Sequence, residues 1–489
     1  MPNIKQPTYS ALPVPLQNAA VAWYGWVTYR RRFGPDFERM SAYLEESEWF
    51  EPERLRQYQE ERLAGIVRHA YDTVAYYREV MDDAGLTPDD VRSLEDLPRI
   101  PILPRRALAE GHDRLLSTAY RRRALQQVMT SGTVGTPVKI SWDRAVDVAN
   151  NACTWRIRRW GGVAPGHRAA TLLGRPIVPA TQERPPFWRY NRSWNTLMFS
   201  CHHLRPDNLR HYVAKIREFE PESFEAYPSS AYILARFLEA EGEHLPVKAL
   251  FLNGEPLLPV ERGIIEDRFC VRAFDSYGLA ERVAYTSECE RHDGHHIFTE
   301  YGIVEILNSH GNPAEPGEVG HVVATSLHNL GMPLIRYDTG DTAVPRAARC
   351  ECGRGLPMIE GVTTRAEDII VLPDGRMVPP VIAQRGFWTI GGGVRGQVVQ
   401  HTPDEIIARP EIDRPITPEE KAGLIEYFTD RFGPEVKIVV EPVERIPLTD
   451  RGKFRRIVST VPLNLGAGDV ANRYADMPID GTEDPEPMD

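Results

Sequence analysis

The sequence has little cysteine, six in 489 residues. That is too sparse for a disulfide scaffold, so a reduced, cytoplasmic setting is expected. It also lacks an excess of positive charge. Lys and Arg total 58 against 69 Asp and Glu, a formal net charge of −11. This excludes wholesale nucleic-acid binding, and the short run Arg121–Arg123 reads as a solvated face. There is no transmembrane segment, because the longest aromatic-rich apolar run, "NAAVAWYGWVTY" (18–29), is too short to span a bilayer. "RRRF" follows it. The expectation is an amphipathic helix packed on its own domain, with an interfacial helix as the alternative. The opening "MPNIKQPTYSALPVPLQ" shows no basic-then-apolar signal pattern. No internal repeat is visible, and no P-loop signature occurs.

What is present is ample apolar material, 42% of residues, on a length that suits two or more domains. A helical N-terminal region is expected over about 35–95, where Leu55, Leu63, Ile66, Val67 and Ala70 share one face. "LPRIPILPRR" (97–106) reads as a connector. Residues 124–290 alternate helical and strand-like stretches, from "AVDVANNACTWRIRRW" and "AATLLG" to "PVERGIIEDRF" and "VRAFDSYG". That alternation implies βαβ units and a mostly parallel sheet flanked by helices. From 301 the period changes to two, in "IVEIL", "GHVVATSL" and "IIVLPDGRMV", which implies a small antiparallel β region. A smaller α+β unit ends the fold class, an α/β protein. The acidic stretch 464–489 is expected to be a disordered tail.

Five stretches carry chemistry. "TSGTVGTPVKI" (130–140) clusters glycines and hydroxyls, as an anion-holding turn would. Its pattern from Gly132 is G-x-x-G-x-x-x-K, and a plain glycine-rich turn ahead of a strand is the alternative. "NGEPL" (253–257) and "DSYGLAER" (275–282) follow strands, and "RYDTGD" (336–341) and "DRGKFRR" (450–456) come later. In open α/β sheets ligands bind at the carboxyl ends of strands, where such loops converge. An aromatic ring, two carboxylates, an anion loop and a lysine together suit a nucleotide with a metal ion.

In this order the motifs resemble those of the acyl-adenylate-forming ligase superfamily. The stretch "LEESEWFEPERLRQYQEERLAGIVRHAYDTVAYYREVMDDAG" further resembles the phenylacetate–CoA ligase branch and its relatives from capsular-polysaccharide loci. The resemblance covers about 40–460. It implies that Thr130, Ser131, Gly132, Thr133 and Gly135 hold the β- and γ-phosphates of ATP. Gly254, Glu255 and Pro256 would line the adenine, with Tyr277, beside Gly278, stacked on it. Glu281 would ligate Mg2+, Asp341 would accept from the ribose, and Arg365 would contact the nucleotide near a hinge. Lys453 would reach the α-phosphate and the substrate carboxylate. The implied reaction is ATP-dependent activation of a carboxylic acid, aryl or alkyl, and acyl transfer to coenzyme A. An amide- or ester-forming ligase is the alternative, and a non-catalytic nucleotide-binding protein is the alternative of another class. The implied domains are 1–364, a mobile lid at 365–463, and the tail. A homodimer stays open.

Two departures from the family pattern stand out. Val134 follows Thr133 where a second hydroxyl is usual, and Thr364 replaces the glycine before the hinge arginine. The second leaves the pivot between Glu367 and Asp368. Tyr227 and Ser229, in "EAYPSSAYILA", are candidates for the acid pocket. Cys289 and His296, with the C-x-C of Cys350 and Cys352, could complete a closed tetrahedral Zn2+ site. His295 is the alternative fourth ligand, and two free thiols beside an unrelated histidine are the alternative reading. Relatives in the resembled branch sometimes carry a C-x-C here. Cys153, Cys201 and Cys270 read as ordinary buried thiols.

Overall fold

The computed structural model describes residues 9–129, 139–175, 177–179, 182–204, 206–365, 370–373, 377–378, 383, 386–391, 394–447 and 454–461. The N-terminal region is helical, as expected, but in separate pieces: Val14–Arg32, Pro35–Ser47, Pro52–Thr73 and Ala75–Asp83. Prolines at the first helical position restart the chain at 35 and 52, because a first-turn residue needs no N–H partner. Val74 is extended (φ −120°, ψ 113°) and separates the last two.

A hairpin, β1 (Gln126–Met129) and β2 (Lys139–Trp142), precedes the main sheet and pairs Met129 with Lys139. The main sheet has twelve strands. They are β3 (Ala169–Leu173), β4 (Trp188–Asn191), β5 (Thr196–Ser200), β6 (Ser223–Ala226), β7 (Ala249–Asn253), β8 (Ala273–Gly278), β9 (Tyr285–Ser287), β10 (His295–Ile297), β11 (Gly302–Leu307), β12 (Gly320–Ser326), β13 (Tyr337–Arg346) and β14 (Met358–Arg365). Their order is β11-β12-β13-β14-β10-β9-β8-β7-β6-β3-β5-β4. Strands β5, β3, β6, β7 and β8 are parallel, with the helices Pro206–Phe219, Pro228–Ala240 and Pro259–Phe269 as crossovers. The antiparallel region is continuous with this half. β9 folds back on β8, pairing Tyr277 with Thr286, and the remaining strands extend the same sheet. The period of two marks pairing direction, and says nothing about whether a sheet stops.

The C-terminal part forms its own sheet in the order β19-β18-β17-β20, from β17 (Gly396–Thr402), β18 (Glu405–Pro410), β19 (Lys437–Val440) and β20 (Ile457–Ser459). A hairpin of β15 (Ile370–Val371) and β16 (Met377–Val378) precedes it. Its helix, Pro418–Phe432, starts on a Thr417–Glu420 capping box. Leu424 and Phe428 from that helix, Val398 and Ile406 from the sheet, and Phe387 make a separate apolar core.

Helix Val14–Arg32 packs on its own domain, as expected, but by a mixed face: Val21 joins an apolar cluster with Ile177, Val178 and Met198, beside polar contacts. Gln17, Val21 and Gly25 are its buried residues, and Trp23 and Trp26 face out.

The heart of the large domain holds a fully buried ion pair. Arg156, from helix Arg144–Trp160, grips Glu300 with two hydrogen bonds of 2.7 and 3.2 Å, and both side chains are 0% exposed. Ser47 donates to the same carboxylate, and Arg156 also donates to Leu44 O at 2.7 Å. Burial works to raise the Glu300 pKa, but Arg156 and Ser47 outweigh it and hold it below the usual carboxylate range. A depressed acid stabilises the fold above its unfolded pKa, near 4.5, and that stability is lost as pH falls through the folded pKa. Arg156→Met leaves the carboxylate buried and alone, which costs about 3–5 kcal/mol. Urea unfolding at neutral pH should show that loss, and Arg156→Met/Glu300→Gln should recover part of it. A single variant as stable as the parent would contradict this.

Candidate functional site

The loops after β6, β7 and β8 leave the sheet on one edge, because these strands are parallel. Tyr227 follows β6 and caps helix Pro228–Ala240, whose first turn includes Ser229. Burial pushes the Tyr227 phenol up, so it stays protonated. After β7 the chain turns at Gly254, whose φ of 80° is left-handed and needs glycine, and runs on through Glu255 and Pro256. β8 ends on Tyr277 and Gly278.

The second half of the sheet returns to meet this edge. Asp341, within β13, lies opposite Arg365 of β14 in the backbone register. The Tyr277 hydroxyl donates to Asp341 Oδ2 at 2.6 Å. Burial and the Asp341 charge raise the Tyr277 pKa well above that of a free phenol, so the ring keeps its donor. Glu281 is 3% exposed and lies beyond the end of β8. Its Oε1 accepts from Arg105 Nη1 and from the Tyr337 hydroxyl, each at 3.1 Å. Burial and Glu281 likewise keep Tyr337 protonated. Asp341, distant in sequence from Tyr277 and Glu281, is therefore gathered with them as expected. Arg282 turns the other way, on a left-handed φ of 57°. Its guanidinium lies 3.4 Å from buried Asp147 and 4.4 Å over the Trp142 ring.

The C-terminal segment comes to the same loop. The Phe454 N–H donates to Glu255 Oε1 at 3.2 Å, and Arg456 pairs with buried Glu261 at 2.6 Å. Burial raises the Glu261 pKa, with Arg456 opposing. Glu255 thus faces the segment that follows Lys453, a contact its assigned place beside an adenine did not suggest. Lys453 and the turn Thr130, Ser131, Gly132, Thr133 and Gly135 lie outside the described residues, as do Glu367 and Asp368.

Sequence reasoning passed over Arg105, Tyr337 and Asp147. Arg105 sat in a stretch read as a mere connector, and Tyr337 was quoted only as the neighbour of Asp341. Their burial, partial for Arg105, is marked by no local sequence pattern and is what makes them informative.

A second cluster lies at the β9–β10 and β13–β14 turns. The ligand atoms of Cys289, His296, Cys350 and Cys352 all lie within 4.8 Å of one another. Cys289 Sγ is 3.7 Å from Cys350 Sγ, and Cys352 Sγ is 3.5 Å from His296 Nε2. A tetrahedral zinc with ordinary bond lengths sets such edges at roughly 3.8 and 3.6 Å. Each sulfur also accepts a backbone N–H from two residues on: Arg291 to Cys289 at 3.4 Å, Cys352 to Cys350 at 3.5 Å, and Arg354 to Cys352 at 3.4 Å. Those donors favour thiolates. Burial pushes the Cys289 thiol up, so clustered thiolates call for a cation. Burial and then Arg354 lower His296 to about 4, which leaves its imidazole neutral and able to ligate. His295, the alternative, points elsewhere: it contacts Thr286 at 3.0 Å and Asp275 at 3.3 Å. Adjacent strand residues face opposite sides of a sheet. Cys153 and Cys201 are buried, but Cys270 is exposed. It caps helix Pro259–Phe269 at a left-handed φ of 54°, which turns it out to solvent.

Residues 370–460 match the family model described as the CapK C-terminal domain. Over 464 residues the chain is 26% identical to the phenylacetate-coenzyme A ligase of Thermus thermophilus, a match spanning 85% of this chain and 99% of that protein. Protein CapK of Staphylococcus aureus is 24% identical over 468 residues, spanning 93% and 99%. Among solved structures, 2-hydroxyisobutyryl-CoA ligase in the postadenylation state, in complex with R3-HIB-AMP, superposes with a TM-score of 0.62. That match covers 82% of this chain and 88% of that one at 21% identity. The fold is therefore that of the acyl-adenylate-forming ligases. In sequence the chain is similar to phenylacetate-coenzyme A ligases and to CapK, and its C-terminal part to the CapK C-terminal domain.

Proposed function

We propose that the protein is an AMP-forming acid–coenzyme A ligase. A carboxylate oxygen attacks the α-phosphorus of ATP, the bond to pyrophosphate breaks, and an acyl-adenylate results. The thiol of coenzyme A then attacks the acyl carbonyl and AMP leaves. The observation that carries this reading is the gathering of Tyr277, Asp341 and Glu281 at the carboxyl edge, with the segment after Lys453 seated on the Glu255 loop.

In this reading Tyr277 offers its face to the adenine, Asp341 accepts from the ribose, and the turn 130–135 holds the β- and γ-phosphates. Gly254 and Pro256 frame the base, and Arg365 touches the nucleotide near the hinge. Glu281, held by Arg105 and Tyr337 through Oε1 alone, would bind Mg2+, which neutralises phosphate oxygens when bound. Lys453 is a compact point charge suited to oxygens whose charge grows as pyrophosphate departs. The domain from 365 onward acts as a lid that brings Lys453 in and keeps water from the adenylate. Tyr227 and Ser229 border the acid. Cys289, His296, Cys350 and Cys352 hold one structural Zn2+, a closed set with no open position for chemistry.

Pyrophosphate exchange across a panel of aryl and alkyl acids, with and without coenzyme A, tests the whole reading. Exchange with thioester formation supports it. Exchange followed only by acylation of an amine or alcohol favours the other ligase. ATP binding with no exchange on any acid leaves a nucleotide-binding protein.

Three outcomes follow at the level of residues. Glu281→Gln slows exchange most at limiting magnesium, and parity with the parent there removes Glu281 from the metal's reach. Lys453→Ala lowers adenylate formation about a hundredfold or more, yet given preformed acyl-adenylate it transfers the acyl group to coenzyme A at near the parent rate. Equal loss in both assays makes the lysine structural. Protein purified without added metal carries about one zinc per chain, and chelation lowers its unfolding midpoint. Metal analysis that finds none in the intact parent ends the zinc assignment.

A further inference from the structure

Helix Val14–Arg32 is oriented the wrong way round for a solvent-exposed helix. Seven large hydrophobic side chains are exposed among the described residues, and five are on this helix: Leu16 (53%), Trp23 (65%), Trp26 (42%), Val27 (40%) and Tyr29 (41%). Its polar residues face the protein instead. Gln17 is buried, donates to Leu12 O at 2.8 Å and accepts from Arg189 Nε at 2.6 Å. Asn18 Oδ1 accepts the Tyr190 N–H at 3.0 Å. Gly25 sits at the closest approach, where a Cβ would lie 2.2 Å from the Asn191 side chain, and its carbonyl accepts from Trp194 Nε1 at 2.8 Å. The inner face is thus fixed by hydrogen bonds, a close backbone contact and a small apolar cluster of Val21 with Ile177, Val178 and Met198. The outer face is tryptophan and aliphatic surface left in water, at a cost of roughly 25 cal/mol for each Å2 that could be buried.

The helix itself carries charge of one sign, whereas nearby Lys215 is paired with Glu218 at 2.5 Å. The helix contains no Asp or Glu and ends in Arg30, Arg31 and Arg32. Arg31 turns inward to Asp147 at 2.5 Å, whereas Arg30 stays exposed and lies 5.1 Å over the Trp26 ring. Arg192, exposed, adds a second cation from the turn Arg192–Trp194 that packs beside the helix. An open groove of about 310 Å3 lies beside the first turns of the helix, on the side of Val14 and Asn18. Trp188, Tyr190, Leu197 and Phe219 help to wall it, and Lys215 also lines it. Tryptophan and tyrosine, with apolar bodies and polar tips, suit the boundary between headgroups and acyl chains. A second copy of the chain would offer no acidic partner on this helix for Arg30.

We infer that this helix is a docking face for an anionic lipid surface, lying in the interface with Trp23 and Trp26 inserted and Arg30 and Arg192 on lipid phosphates. It is a peripheral contact: no helix among the described residues is long and apolar enough to cross a membrane. The inference is independent of the proposed ligase activity and tells where that activity would be concentrated.

Co-sedimentation of the full chain with vesicles tests it, using phosphatidylcholine alone and phosphatidylcholine mixed with phosphatidylglycerol. The parent should bind the mixed vesicles, more weakly at high salt and on phosphatidylcholine alone. Trp23→Glu/Trp26→Glu should reduce binding about tenfold or more, with far-UV circular dichroism and the unfolding midpoint close to the parent's. Should that variant fail to fold, Arg30→Glu/Arg192→Glu is the second probe and should weaken binding to the mixed vesicles only. A parent that stays in the supernatant overturns the inference, as does binding that neither variant changes. So does a parent that dimerises through this face in light scattering while ignoring vesicles.

Discussion

The hydrogen bond from Tyr277 to Asp341 joins the two halves of the molecule's logic. Tyr277 ends the last parallel strand, and Asp341 belongs to the antiparallel half that begins when β9 folds back on β8. For the two to meet at 2.6 Å, the strands between them, β9, β10 and β14, must hold their register across that reversal. The nucleotide site proposed for this edge needs the same agreement, since its aromatic face and its carboxylate come from opposite sides of the turn. Everything else on the edge is positioned against this contact: Glu281 on the loop beyond Tyr277, Tyr337 four residues ahead of Asp341, and the Glu255 loop one strand away.

Three buried carboxylates are each paired with an arginine. Glu300 is buried with Arg156, Glu261 with Arg456, and Glu281 with Arg105. The first pair is sealed within the large domain, ties two helices to a turn and has a structural part only. The second joins the helix after β7 to the C-terminal segment, so any separation of the two has to expose or re-pair both charges. The third sits where a cation is proposed to act, which makes Arg105 a competitor and an orienting group at once. Three similar ion pairs thus differ in consequence because of what moves around them.

The cysteine–histidine cluster and helix Val14–Arg32 lie outside this economy of the active edge. The cluster sits where two turns of the antiparallel half meet, next to β14, the strand that leads to the C-terminal part. The helix covers the opposite end of the sheet at edge strand β4, where an unpaired edge would otherwise invite association. Its inner contacts are largely polar because the edge strand presents backbone groups and Asn191, with Val21 packed among Ile177, Val178 and Met198, and most of its large apolar residues are left exposed.

Much of this was readable in the residues alone. Alternation of periods located the parallel strands and their crossovers, because a strand buried on both faces and an amphipathic helix leave different hydrophobic spacings. The motifs after β7 and β8, and the Cys289, His296, Cys350 and Cys352 set, were legible because glycine, thiol and imidazole are chosen for local geometry or ligation. Periodicity could not tell that the antiparallel strands continue the parallel sheet, since pairing between distant segments is a property of the whole chain. Nor could it tell His296 from His295, which only the direction of a side chain across β10 separates. Arg105 and Tyr337 were invisible as partners of Glu281 for the same reason. The sequence by itself determined the elements and the chemistry available to them. Tertiary structure alone decided which distant groups meet and which face of the first helix looks outward, because burial and proximity arise only when the sheet closes.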